Sequence, residues 1–427
     1  MIENKRILIL SVSAWNSKVG ADTWPTLVSG LNPDNIASIS LREEIPDSPK
    51  CNNYFVLSEN KVLKSIFKCK VKTGRRVIPG ANVKMISEDL TEHNLRYQKM
   101  GKRKGFFSLL AREIVWKLGK WKSQELDDFI EEFKPDILLY SMDGYIHFNT
   151  ICRYVKNKTG AKSIGFFVDD NFTYRQSKRL GMLAFRVLQR YSLKQVVKET
   201  DSFWAITDMT KKEADKIFGI NCTVVTKPLN REPVFKNWQI STPIKVLYTG
   251  NLQIGRDRSL VKFVNAIKKI NKEQNYFEVD VYTKTELSEE IMCALDCSFC
   301  RMHSAVPQSE IFKIQERADI LLFLEDVDGP HSKTARLSFS TKITDYLSSG
   351  KSIFAVGCVD TAPMQYFIQN DIAIVAQGEQ EIICELQGIL EDPNSLKTFA
   401  KRACTCGIQN HNKGKILEIV HNSIENL

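Results

Sequence analysis

Two stretches of this 427-residue chain have residue types and spacing suited to holding a phosphate group. The first, residues 338–357, reads SFSTKITDYLSSGKSIFAVG, a loop, a short helix and a strand. Ser340 and Thr341 form an N-cap signal, Gly350 closes the helix, and residues 352–356 resume as a strand. A helix start of this kind offers backbone N–H groups without partners in their own helix, together with the positive end of the helix dipole. Both attract phosphate. The second stretch, Gly250-Asn-Leu-Gln-Ile-Gly255-Arg256, links a predicted strand to a predicted helix. Its glycines permit close backbone approach, and Arg256 or Arg258 supplies a planar charged fork. The spacing partly follows a Walker A loop. Arg256 and Asp257, however, occupy the Lys and Ser/Thr positions, and Asp257 would set a negative charge beside phosphate, which argues against a P-loop NTPase.

These stretches sit in two halves that each alternate strand and helix. In the first half, compact apolar runs at 6–12, 137–141, 163–168, 202–207 and 222–226 suit buried parallel strands. Helical patterns lie between them at 123–133, 149–158, 180–197 and 208–218. Residues 227–243 contain Pro228, Pro233 and Pro243 and read as a linker. The second half restarts with strands at 244–250, 277–283 and 319–325 and the strand SIFAV, separated by helices at 259–271, 286–293 and 307–317. The expected fold class is α/β, with two Rossmann-like, doubly wound parallel-sheet domains facing a cleft. The expected domains are 1–226, a linker at 227–243, a second domain at 244–400 and a helical tail at 401–427.

Length and composition agree with a two-domain enzyme. The chain exceeds what one core usually sustains, and a hydrophobic fraction of 43% is ample for two. Eleven cysteines are scattered without a convincing export signal, which favours reduced thiols in a cytoplasm. Cys293, Cys297 and Cys300 have the spacing of a radical-SAM cluster, and His303 could complete a zinc set. Their place deep in the second half favours structural thiols, so no metal and no cofactor is expected. His147 and His303 have no partner visible in the sequence and read as structural.

The net charge of +10 is concentrated in one place. Residues 61–122 hold 17 Lys and Arg against 4 Asp and Glu, a balance of +13 that leaves −3 for the rest. Within this segment, residues 99–122 place Phe107, Leu110, Ile114, Leu118 and Trp121 at helical spacing among basic residues that include Lys102, Arg103 and Lys104. The pattern is similar to an interfacial amphipathic helix, with aromatic groups entering the headgroup region and cations meeting anionic lipid. Nucleic acid attracts the same charge, but no zinc finger, RNP pair or KH-type GXXG supports it. No window reaches the ~18 apolar residues of a membrane-spanning helix. The expected location is cytoplasmic, peripheral on the inner face of the cell membrane.

The carboxy-terminal half resembles the nucleotide-sugar-binding domain of GT-B-fold glycosyltransferases, especially the large family-four group of retaining enzymes. YTGNLQIGRDRSL resembles that group's opening glycine loop. STKITDYLSSGKSIFAVG resembles its P-x-K-x-x-E-Y-L-A-x-G-K-P-V-I-A block, and RMHSAVPQSEIFKIQERADILLFLE resembles the stretch between. The resemblance covers 244–370; over the first half it is architectural.

The resemblance implies that Gly250 and Arg256 meet the donor diphosphate, that Ser340 and Thr341 complete the cradle, and that Lys342 adds charge. It places Asp345 at the nucleotide ribose and Val306 near the base. Gly20 matches a glycine loop facing the diphosphate, and Asp169 and Asp170 end the strand where the family often has a histidine close to the reacting sugar. The implied partners are a nucleotide-sugar donor and a saccharide acceptor, lipid-linked and belonging to bacterial surface polysaccharide, with no nucleic acid. In the E-x7-E signature the second Glu is the shorter Asp345 and the first falls at Leu337, with Glu325 or Arg336 as substitutes. A nucleotide-sugar epimerase of the same fold and a non-catalytic adaptor are the alternatives.

Overall fold

The computed structural model describes residues 4–16, 23–68, 70–77, 105–175 and 180–427. The chain divides into two compact units: Met1–Thr226 with Gly414–Leu427, and Lys227–Lys413.

The first unit is built on an eight-stranded sheet. Its strands are β1 (Ile7–Ser11), β2 (Ile36–Ser40), β3 (Asn53–Leu57), β4 (Gly74–Val77), β5 (Ile137–Ser141), β6 (Lys162–Phe167), β7 (Ser202–Ala205) and β8 (Thr223–Val224). They lie in the order β4-β3-β2-β1-β5-β6-β7-β8. Every neighbouring pair is parallel except β3 with β4, which is antiparallel and departs from the all-parallel expectation. β4 reads GRRV, and its charged residues suit an edge that needs no second neighbour. The chain leaves β1 toward β2 and returns to β5 on the other side of β1, so the strand order reverses between β1 and β5.

The second unit holds a six-stranded, wholly parallel sheet of β9 (Ile244–Thr249), β10 (Phe277–Thr283), β11 (Cys300–Ser304), β12 (Ile320–Leu324), β13 (Ser352–Val356) and β14 (Ile374–Ala376). The order is β11-β10-β9-β12-β13-β14, and it reverses between β9 and β12. Continuous apolar runs are required here because both faces are covered. In β12, Ile320, Leu322 and Leu324 enter one core cluster while Leu321 and Phe323 enter the other. Phe354 and Val356 of β13 divide from Ile353 and Ala355 in the same way.

The expected linker and tail are corrected. Residues 227–243 pack into the second unit, with Leu229 in its core. The buried Asp319 carboxylate accepts from Trp238 Nε1 at 2.9 Å, from the Ser241 amide at 3.3 Å and from the Lys245 amide at 2.9 Å. The tail divides: helix Ser395–Asn410 belongs to the second unit, and Gly414–Leu427 returns to the first, where Lys5 Nζ donates to the Ile424 carbonyl at 3.4 Å. Asp319→Ala removes the acceptor of three hydrogen bonds. It is expected to cost the second unit about 3 kcal/mol, read as a lower urea midpoint.

Candidate functional site

In open α/β sheets, ligands bind beyond the carboxyl ends of the strands where the strand order reverses. Each unit presents chemistry at that place.

In the second unit the reversal lies between β9 and β12. β9 runs into Gly250, whose φ of +130° is a conformation that L side chains rarely adopt. A Cβ at Gly250 would lie 2.6 Å from both Cε and Nζ of Lys342. The glycine therefore lets the backbone and the Lys342 ammonium come together, and Lys342 belongs to helix Thr341–Leu347. Lys342 Nζ donates to Tyr248 Oη at 2.9 Å and lies 4.1 Å from that ring's centroid; Tyr248 Oη in turn donates to the Asn251 carbonyl at 2.6 Å. Burial, and then repulsion from Arg256, bring the Lys342 ammonium down to about 7, although Glu325 and Asp345 pull the other way. An ammonium held against a phenol and repelled by a neighbouring cation is a ready partner for an anion.

Arg256 makes two internal contacts beside the role expected for it. It opens helix Arg256–Ile270, three residues before the predicted start. Its Nη2 donates to Glu325 Oε1 at 2.9 Å and its Nε to the Leu324 carbonyl at 3.1 Å. Glu325, at the end of β12, is itself buried. The guanidinium thus ties the β9 loop to the end of β12 and holds a positive charge behind Lys342. Several amides of the glycine loop are also spent internally: Gly250 on the Tyr282 carbonyl at 2.9 Å, Leu252 on Thr285 Oγ1 at 3.0 Å and Gln253 on Asn251 Oδ1 at 2.6 Å. The helix after Ser340 starts without a side-chain cap, which leaves its first amides beside Lys342 as the candidate place for an anion.

The remaining expected donor residues differ in exposure. Asp345 is half-buried, and Asn230 Nδ2 donates to its Oδ1 at 3.4 Å. Thr341 is exposed, while Ser340 and Val306 are half-buried. Leu337, at the first Glu position of the signature, is fully buried. Gly250→Ala is expected to displace Lys342 and strain the turn, lowering Tm by several degrees. A melting curve of the variant against wild type checks the effect.

In the first unit a cavity of about 200 Å³ opens at the reversal between β1 and β5. Its walls come from the loops after β1, β5 and β6, including Ser13, Trp15, Asp143, Asp169 and Asn171, with Trp24 from helix Thr23–Leu27. Asp143 is half-buried and Asp169 exposed. Burial, and then the Asp169 charge, push the Asp143 carboxyl up to about 6, against the amides of Gly144 and Tyr145. Trp15 is buried, and its Nε1 has no hydrogen-bond partner among the described residues. Carboxylates beside aromatic walls are the groups that recognise a polyhydroxylated ligand.

The structure distinguishes the two neighbouring aspartates. Asp170 is fully buried, and its carboxylate accepts from the Thr173 amide at 3.0 Å and from Thr173 Oγ1 at 2.6 Å. It shapes the turn and is absent from the cavity lining, which argues against the expected place for it near the reacting sugar; Asp143 is the carboxylate that lines the cavity beside Asp169. Asp143 was signalled only by an Asp-Gly pair closing a buried strand. Gly20, Lys102, Arg103 and Lys104 lie outside the described residues.

Trp121 is also corrected as a membrane residue. Helix Phe106–Leu118 ends before it, with Gly119 as the C-cap, so the helical spacing does not reach Trp121. The indole is buried and meets Tyr154 edge to face at 5.3 Å. Leu110 is half-buried. Both histidines have partners. His147 Nδ1 lies 3.0 Å from Glu113 Oε1, with its ring stacked on Trp116 at 4.7 Å, and His303 Nε2 lies 2.6 Å from Asp280 Oδ1. Among the described residues no three His, Cys, Asp or Glu side chains gather as a metal site, and Cys293 is exposed while Cys297 and Cys300 are half-buried.

No protein-family model matches the chain, and no curated protein matches it. Solved structures do. Sucrose-phosphate synthase from Thermosynechococcus elongatus superposes with a TM-score of 0.62 at 11% identity, covering 99% of each chain. Anabaena Alr3699/HepE, in complex with UDP and glucose, gives 0.61 at 10% identity, covering 99% of this chain and 100% of its own. A UDP-forming α,α-trehalose-phosphate synthase from Burkholderia xenovorans, in complex with glucose-6-phosphate, gives 0.59 at 9% identity over 98% of this chain and 100% of its own. At these identities the likeness is one of fold, and the chain has the GT-B fold of these glycosyltransferases.

Proposed function

We propose that the protein is a retaining glycosyltransferase that moves a sugar from a nucleotide-sugar donor to a saccharide acceptor. The observation that carries this reading is the Lys342 ammonium, held against a phenol beside the Gly250 turn at the reversal point of the second sheet. A nucleoside diphosphate is an anion suited to this ammonium. Lys342 and the amides after Ser340 and Thr341 meet its phosphates, Arg256 reinforces the positive field, Asp345 takes the ribose and Val306 lies near the base.

In the reaction the bond from the anomeric carbon to the phosphate oxygen breaks, and its electron pair leaves on the diphosphate. The acceptor oxygen bonds to the same carbon on the same face, and its proton passes to the departing phosphate. Charge therefore grows on the diphosphate in the transition state, where preorganised cations and amides lower the barrier by several kcal/mol. Asp143 and Asp169 orient the acceptor hydroxyl in the first unit's cavity. No metal or cofactor is assigned a step. The acceptor in this reading is a lipid-linked saccharide of bacterial surface polysaccharide at the inner face of the cell membrane. The basic, apolar helices of the first unit support that choice.

The test is turnover: purified protein is incubated with UDP-, GDP-, ADP- and CMP-linked sugars, with and without extracted lipid-linked saccharides, and released nucleotide is measured. Release that requires acceptor, together with a glycosylated lipid product, supports the reading. Donor conversion without acceptor points to an epimerase, and binding without turnover points to an adaptor.

A further inference from the structure

Helix Phe106–Leu118 has its polarity reversed relative to an ordinary surface helix. Polar groups help tie it to its own unit: Arg112 Nε donates to Glu59 Oε2 at 2.7 Å, Trp116 Nε1 donates to the same oxygen at 3.0 Å, and Glu113 pairs with His147. Trp116 is the helix's one buried residue. At about 100° per residue, Phe107, Ala111, Ile114 and Leu118 fall within about 60° of arc, on the side opposite Trp116. That apolar stripe faces water, with Phe107 82%, Ile114 47% and Leu118 62% exposed.

Helix Leu180–Glu199 packs beside it, with Phe106 and Phe185 edge to face at 6.5 Å. It repeats the same spacing in Leu180, Ala184, Val187 and Tyr191. Leu180 is 86% exposed and Tyr191 65%, while Phe185, Leu193 and Val196 hold the opposite side in the core. Two neighbouring helices therefore leave matching apolar stripes uncovered, which a water-soluble surface ordinarily avoids.

The charge on these elements identifies the occupant. Their carboxylates are spent on internal partners: Glu59 on Arg112 and Trp116, Glu113 on His147, and Glu199 on Arg153. Lys117 and Lys194 on the two helices are exposed, and the adjoining helix Glu59–Phe67 adds exposed Lys64. Outward apolar stripes with cations beside them match the headgroup region of an anionic bilayer.

We infer that the paired helices Phe106–Leu118 and Leu180–Glu199 form a membrane-docking face that inserts Phe107, Ile114, Leu118, Leu180, Val187 and Tyr191 into an anionic lipid surface. The inference deepens the proposed use of a lipid-linked acceptor, and it replaces a single helix ending at Trp121 with a two-helix surface.

The test is flotation of the full chain with vesicles of phosphatidylcholine alone or mixed with phosphatidylglycerol. Two separate variants, Phe107→Ser/Leu118→Ser and Leu180→Ser/Tyr191→Ser, are compared with wild type, so misfolding of one leaves the other informative. The expected result is binding to the anionic vesicles only, weakened roughly tenfold or more in each variant. Absence of flotation, or flotation unchanged in both variants, overturns the proposal. So does a wild-type dimer, seen by sedimentation, that the variants dissociate, because the face is then an interface between copies. Nucleotide-induced thermal shifts on the same samples report the donor site independently, so failure of docking and failure of the glycosyltransferase reading give different outcomes.

Discussion

Lys342→Met is expected to weaken binding of a nucleoside diphosphate about 10- to 100-fold while leaving the free protein as stable as wild type or more so. Hydrogen bonds to charged groups contribute about 1.5–3 kcal/mol, and each 1.4 kcal/mol is about tenfold in affinity. The stability expectation follows from burial: the ammonium is desolvated, repelled by Arg256 and bonded to a phenol, and Met fills similar space without the charge. The pH dependence carries a definite sign. The free ammonium titrates near 7, held down by burial and Arg256 against Glu325 and Asp345, and an anionic ligand favours its charged form. Binding is therefore strongest below 7 and weakens as pH rises through that value, with proton uptake on binding in the alkaline range. Calorimetric titrations in buffers of different ionisation enthalpy measure that uptake, and Lys342→Met removes it.

Asp143→Asn is expected to cut turnover about 100-fold with nucleotide binding unchanged, because the substitution lies in the other unit and keeps the side chain's shape. Asp143 carries its proton below about 6, where its strength as an acceptor for a sugar hydroxyl is lost. Activity should fall as pH drops through that value, and the acidic limb should vanish in the variant. Asp170→Asn makes the contrast. Its carboxylate holds Thr173, so this change should lower Tm more than it alters the pH profile. Steady-state rates across pH for both variants separate a group that faces substrate from one that shapes a turn.

The strands at the centre of each sheet were readable because burial on both faces demands uninterrupted apolar residues. ILLFL at β12 and ILLYS at β5 cannot be much else. β2 was hidden because IASIS carries two buried serines, and β4 and β11 because GRRV and CRMHS are edge strands with one neighbour. The proposed donor site was visible in outline, since a glycine turn after a strand and an oxygen-rich helix start are local signals. The roles within it depended on packing: Arg256 is taken by Glu325, 69 residues away, and Lys342 by Tyr248, 94 residues away. Asp143 and Asp169 come together because β5 and β6 are neighbours in register, with Ser141 opposite Phe166. The apolar helix was recognised from its spacing, but which side faced inward was decided by Glu59 and His147, on other elements.

The most direct measurement is a thermal-shift panel of UDP, GDP, ADP and CMP with their sugars, run on wild type, Lys342→Met and Arg256→Ala. A nucleotide-sugar donor site in the second unit predicts that one nucleoside diphosphate raises the wild-type Tm and that both substitutions remove most of the shift. A wild-type protein that none of these ligands stabilises, or a shift that persists in Lys342→Met, would contradict it.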